Sequence, residues 1–191
     1  FTRPTVEVAR DLLGSHLIVA GDEGCSGGRI VEVEAYLGPD DPASHAARLR
    51  TERVASMSRQ PGLAYVYRSY GIHAMLNVVA KPDQETGAIL IRAIEPLAGV
   101  DLMRARRGLT DERLLGSGPG RLCQAMGITL DDHGVDLITS DRLWLEPGPP
   151  PAAIAASGRI GISRGTEHQW RFFEAGSAYV SGRAKAPRGI S

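Results

Sequence analysis

Glu32 and Glu34 stand two residues apart in RIVEVEAYLGPDDPASH, residues 29–45, with Tyr36 and His45 following. Carboxylates at next-but-one positions of an extended chain point the same way, roughly 7 Å apart at about 3.3 Å of rise per residue. A carboxylate beside a like charge, walled in by apolar neighbours, tends toward a raised pKa and suits a general base near neutrality. Strict alternation assigns Val31, Val33, Ala35 and Leu37 to one face and Ile30, Glu32, Glu34 and Tyr36 to the other. Without chemistry, the same pattern reads as a solvated edge strand with two exposed glutamates. Pattern alone leaves both readings open. In GAILIRAIE, residues 87–95, Arg92 alternates onto the face of Leu90 and Ile94. A buried arginine needs an anionic partner, and the two glutamates are natural candidates.

The elements that must position these groups follow from periodicity and turn residues. Pro4–Leu13 reads as an amphipathic helix stopped by Gly14, and His16–Ala20 as a strand leading through Gly21–Gly24 into the glutamate strand. The turn-rich Gly38–Pro42 run delivers His45. Residues 46–62 form an arginine-bearing loop containing Arg48, Arg50, Arg53 and Arg59. Leu63–Arg68 and Ile72–Ala80 make a hairpin with Tyr65 and Tyr67 on one face and Tyr70 at the tip, where a core aromatic would not sit. Such a tip residue is either a simply exposed side chain or a wedge of the kind that enters kinked DNA. Leu97–Arg107 reads as a helix whose last-turn arginines suit its dipole. The Gly116–Arg121 stretch opens another helix, with Pro119 in its first turn and Gly127 at its end. Backbone amides at such a start can hold a phosphate. Trp144 on a strand within Leu137–Glu146, and Trp170, Phe172 and Phe173, read as core, and Arg159–Ser163 as a strand.

At 191 residues, with 42% hydrophobic and 23% charged residues, the chain fits one globular domain over 1–191 with a frayed tail from Arg183. No apolar run approaches the ~20 residues of a membrane helix. Charges at Arg3, Glu7, Arg10 and Asp11 argue against a signal peptide, and a first residue other than Met suggests that the native chain starts further upstream. Cys25 and Cys123 are too few and too far apart for a disulfide framework or a zinc site, which favours a reducing, intracellular compartment. Twenty-two basic residues balance twenty-two acidic ones, which by itself speaks mildly against nucleic-acid binding. Only Lys81 and Lys185 are lysines; the arginine excess suits bidentate phosphate contacts, or reflects a genome rich in G and C.

Five strings in order, RIVEVEAYLGPDDPASHA, YVYRSYGIHAMLNV, ILIRAIEPLAG, GPGRLCQAMGI and RIGIS, resemble the alkyladenine (3-methyladenine) DNA glycosylases from about Ala9 to Ser181. The resemblance implies a monofunctional enzyme that flips alkylated or deaminated purines from duplex DNA and hydrolyses the N-glycosidic bond, leaving an abasic site. By the same resemblance Glu34 is the base for the attacking water, with Arg92 and the backbone carbonyl of Ile160 steadying it. Tyr36, His45, Tyr67 and Asn77 would line the base pocket, Tyr70 would fill the gap in the duplex, and Gly118 and Arg121 would meet phosphates. The implied fold is mixed α/β: a curved, mainly antiparallel sheet with helices around it and a protruding hairpin. The implied partner is double-stranded DNA with damaged purines, met by a monomer inside the cell, without metal or organic cofactor and without a membrane. Arg68-Ser69 and His73 depart from the apolar or larger residues the family pattern suggests, which bears on lesion range and insertion. Two other classes fit parts of the pattern: a non-catalytic sensor of damaged DNA, and a carbohydrate hydrolase using Glu32 and Glu34 as its pair. The second fits poorly, since such enzymes place their carboxylates across the sugar from each other.

Overall fold

The computed structural model describes residues 1–48, 55, 57–83 and 85–182. Much of the 46–62 loop, including the Arg48 side chain, Arg50 and Arg53, and the tail from Arg183, lies outside the described residues.

Thirteen residues, Gly24–Tyr36 (β2), form the axis of a curled antiparallel sheet. One edge of β2 pairs with Ala88–Ala98 (β5) along nearly its whole length. Its other edge pairs first with His16–Gly21 (β1), then with Arg171–Glu174 (β8) opposite Glu32–Glu34. The remaining strands extend the sheet. Ala64–Ser69 (β3) and His73–Val79 (β4) continue from β5, Leu143–Glu146 (β6) from β1, and Ile154–Ser157 (β7) from β8. β2 is central rather than an edge strand, and both glutamates are fully buried. The solvated-edge reading is therefore excluded.

Besides a register shift between Gly27 and Gly28 near the start of β2, strict alternation fails at two places beside the glutamates in the β2–β5 ladder. Ile30 faces Ile94 and Glu32 faces Ala93, so Val31 is an extra residue on β2; Glu32–Ala93 is followed by Val33–Ile91, so Arg92 is an extra residue on β5. Each bulge moves the following residues onto the opposite face. Ile30 accordingly joins Val33 and Ala35 in the core instead of sharing the face of Glu32, while Val31, though fully buried, stands outside that cluster. Ile94 likewise packs in the core with Ile89 and Ile91, whereas Leu90 and Arg92 look into a cavity on the other side. The bulges let one strand pair serve both a dry core and a polar site.

Helices cover the core face of the sheet. Thr5–Asp11 (α1) and the turn after it bury Val8, Ala9, Leu12 and Leu13. His45–Arg48 (α2) is a single short turn. Val100–Arg107 (α3) starts three residues later than the periodicity suggests because β5 runs on to Ala98. Glu112–Leu115 (α4) precedes Pro119–Met126 (α5), which has Pro119 in its first turn and ends at Gly127 in the left-handed region. Leu122, Cys123, Ala125 and Met126 seal the core. A fully buried aliphatic side chain contributes about 1.5–3 kcal/mol, so this face fixes the strand positions on which the site depends.

Three expectations about the C-terminal half need correction. Arg159–Ser163 is a loop, not a strand; the strands are β7 before it and β8 after it. Leu143 is the core residue of β6, while Trp144 is half-buried on the opposite face and donates its indole N–H to Glu146 at 2.8 Å. Phe172 is core, Trp170 packs at its margin, and Phe173 lies under the Arg171 guanidinium at 4.5 Å.

Candidate active site

The unpaired face around β2, β5 and the β3–β4 hairpin walls a cavity of about 360 Å³. Tyr36 and Arg92 lie on its inner wall, and His45, Tyr65, Tyr67 and Asn77 form its aromatic and polar side. Ile160 to Ser163 closes it from the loop before β8.

Glu34 lies directly beneath this cavity, behind three residues that line it. Each of them donates a hydrogen bond to its carboxylate. The Ile160 N–H reaches Oε1 at 2.6 Å; the Tyr36 hydroxyl and Arg92 Nη1 reach Oε2 at 2.8 and 3.1 Å. A carboxylate has about four lone-pair positions, so one on Oε1 stays open. Burial first, and the Glu34 carboxylate second, push the Tyr36 phenol well above its ordinary value, which keeps it a donor.

Glu32 is held differently. Its Oε1 accepts from Arg92 Nε at 2.9 Å, Arg171 Nε at 2.7 Å and the Ser181 hydroxyl at 2.9 Å, and its Oε2 accepts the Ser181 N–H at 2.5 Å. Four donors hold it, three of them on Oε1. Two carboxylates and two guanidiniums thus form a neutral buried set, the arrangement that makes buried charge tolerable. Burial works against the Arg92 cation, but Glu34 and Glu32 outweigh it and raise its pKa above the ordinary arginine value.

The loop carrying Ile160 is anchored by its neighbour. Arg159 donates through Nη1 and Nη2 to Asp41 at 2.6 and 2.8 Å, and through Nη1 to the Ala35 carbonyl at 2.9 Å. Both side chains of the pair are fully buried. Its guanidinium also lies over the rings of Tyr36 and Trp170, at 4.7 and 5.1 Å. Asp41 further accepts the Leu37 and Ala43 amides, tying down the Gly38–Pro42 turn that carries the chain to His45.

His45 sits at the start of α2. Its Nδ1 is 3.0 Å from the Tyr65 hydroxyl, and its ring meets that of Tyr67 edge-on at 4.8 Å. Asn77 donates its amide to the Tyr65 carbonyl at 3.1 Å. Tyr70 projects from the hairpin tip 91% exposed. It and Gly71 both adopt positive φ, 49° and 75°, in a turn closed by the Ile72 N–H on the Ser69 carbonyl. Gly118 and Arg121 lie outside the cavity lining at the start of α5. The Gly118 N–H bonds the Gly116 carbonyl, and the exposed Arg121 guanidinium donates to Ser117. His73 packs its ring against Gly120 on the same helix, so this departure residue ties the hairpin to α5.

The structure brings Glu34, Arg92, Ile160, Tyr36, His45, Tyr67 and Asn77 to one place, with Tyr70 at its mouth. Four participants escape a reading of the sequence alone. Tyr65 looks like an ordinary alternating strand residue. Arg171, set among aromatics in QWRFF, carries a usable signal, since an arginine there must find buried anions. Asp41 is hidden beside an identical neighbour, and nothing local marks Ser181.

Comparison with known proteins places this geometry. The sequence model of the methylpurine-DNA glycosylase family matches residues 1–178. A protein of Nitrosospira multiformis named "Putative 3-methyladenine DNA glycosylase" is 49% identical over 187 residues, 98% of this chain and 94% of its own. Proteins with the same name from Chlorobaculum tepidum and Granulibacter bethesdensis are 47% identical (98% of this chain, 90% of theirs) and 50% identical (95% and 85%). The protein is therefore an enzyme, a hydrolase of N-glycosyl bonds in DNA, which disposes of the sensor and carbohydrate-hydrolase readings. Within that class the chain belongs to the methylpurine-DNA glycosylase family.

Proposed function

We propose that this enzyme excises alkylated and deaminated purines, 3-methyladenine among them, from duplex DNA by a water attack that Glu34 activates. The observation carrying the proposal is the single open lone pair on Glu34 Oε1, beneath a cavity lined by the residues that bind the rest of that carboxylate. The flipped base enters between Tyr36, His45 and Tyr67, whose rings suit an electron-poor purine. Asn77 at the wall disfavours the exocyclic amine of normal guanine. Water sits between Oε1 and C1′, steadied by Arg92 and by the Ile160 carbonyl. As the C1′–N bond breaks and the sugar becomes oxocarbenium-like, the carboxylate offsets the positive charge and takes the water's proton. The water oxygen bonds to C1′, the base leaves, and an abasic site remains.

Tyr70 fills the space vacated in the stack, and Arg121 with the backbone near Gly118 contacts phosphates. No described lysine lines the cavity, which favours water over an enzyme amine as nucleophile; Lys81 lies at the far end of β4 with its N–H on the Phe1 carbonyl. A reaction run this way by a monomer calls for no metal or organic cofactor, and its place is with the cell's DNA. Among the described residues no helix is long and apolar enough to cross a membrane.

The test uses labelled duplexes carrying one hypoxanthine, one 3-methyladenine or only normal bases. Strand cleavage at the lesion only after alkali, with no borohydride-trapped enzyme–DNA adduct, supports the proposal. Cleavage without alkali, or a trapped adduct, contradicts it.

A further inference from the structure

We infer that Glu32, with Ser181 from the C-terminal segment behind it, is a positioning residue that holds Arg92 off Oε1 of Glu34 and so keeps Glu34 a competent base. The inference rests on the reading of Glu34 as base. Arg92 is extra to the β-ladder, so strand pairing does not fix its side chain; its fork is instead divided, with Nε on Glu32, Nη1 on Glu34 and Nη2 on the Ser181 hydroxyl. An arginine beside a single carboxylate closes onto both oxygens in a fork–fork pair. Here the Glu32 contact at 2.9 Å and the Ser181 contact at 3.3 Å restrain the guanidinium, so that only one nitrogen reaches Glu34. Oε1 of Glu34 stays free of the cation, and that is the oxygen with the open lone pair.

Glu32 can do this because it is itself immobilised. Arg171 of β8 and both the amide and hydroxyl of Ser181 bind it, and Arg171 Nη2 also donates to the Ser181 carbonyl at 3.1 Å. The segment after β8 thereby folds back under the site and joins the same hydrogen-bonded set as the catalytic carboxylate. The charged and titratable groups facing Arg92 are Glu32, Glu34 and Tyr36 of β2 and Arg171 of β8, with the neutral Ser181 beyond.

Removing the Glu32 charge leaves Arg92 to Glu34 alone, leaves Arg171 unpaired nearby, and ends repulsion between the two carboxylates. All three effects favour the ionised form of Glu34 and make it a weaker base. Glu32→Gln should therefore lower the single-turnover excision rate on a hypoxanthine duplex at least about tenfold and move the acid limb of the pH–rate profile to lower pH, with duplex affinity unchanged. Ser181→Ala, which keeps the charge set intact, should move that limb in the same direction by less. It serves as the deciding variant if Glu32→Gln does not fold by circular dichroism. A merely structural role would lower the active fraction without moving the limb. An unmoved limb in Glu32→Gln, or in Ser181→Ala where Glu32→Gln is unfolded, overturns the inference. Glu34→Gln run alongside separates the two levels: if it still excises, the reading of Glu34 fails, whereas an inactive Glu34→Gln with parental behaviour in the Glu32 and Ser181 variants removes only this inference.

Discussion

Asp41→Asn should be strongly destabilising, and the structure gives the size. Asp41 Oδ2 accepts from Leu37 N and Arg159 Nη1, and Oδ1 from Ala43 N and Arg159 Nη2, at 2.6 to 3.1 Å. An amide in either orientation turns an NH₂ group toward two of these donors and leaves the fully buried Arg159 without a counter-charge. Breaking one partner of a buried pair costs about 3–5 kcal/mol. At roughly 2–4 °C per kcal/mol for a chain of this size, the melting temperature should fall by about 6–20 °C. The loss must also depend on pH. Burial works to raise the Asp41 pKa, but the Arg159 hydrogen bonds and the two amides outweigh it and hold the carboxyl below its usual range. A carboxyl with a lower pKa folded than unfolded stabilises fully above about pH 4 and loses that contribution as pH falls through the folded value. Melting curves of parent and variant should therefore converge below about pH 4. A loss under about 1 kcal/mol at pH 7, or a gap that does not narrow in acid, would refute the reasoning.

Other expectations are more local. Tyr70→Gly removes a 91%-exposed ring and relieves a non-glycine residue at φ 49°, so unfolding free energy should stay within about 1 kcal/mol of the parent while excision falls, as single-turnover assays would show. Burial pushes the Cys123 thiol up to about 12 within the core, whereas Cys25 is exposed and likewise unpaired. A thiol reagent should thus titrate one cysteine in the native protein and both in denaturant.

Much of this architecture is legible in the residues because local pattern and tertiary role coincide. The turn glycines, the proline at the start of α5 and the apolar face of α1 each act within a few residues of themselves. The tip of the β3–β4 hairpin stands out because an aromatic there has no core to enter. What alternation misreads are the two bulges. A period of two carries no mark of an inserted residue, and Val31 and Arg92 are inserted for reasons that lie across the sheet: one face must pack Ile30 and Ile94 while the other presents Glu34 and Arg92. The same holds for Ser181 and Arg171, whose partner Glu32 is 149 and 139 residues away in the chain. Separation of that order is invisible without the fold.

The central claim is that Glu34 activates the water. Its most direct test is single-turnover excision of hypoxanthine by the parent and by Glu34→Gln, with duplex affinity measured in parallel. Glutamine keeps the volume but cannot take the water's proton, so excision should fall by at least about a hundredfold while the lesion duplex is bound as before. Parental excision by Glu34→Gln would contradict the account and move the base elsewhere in the cavity.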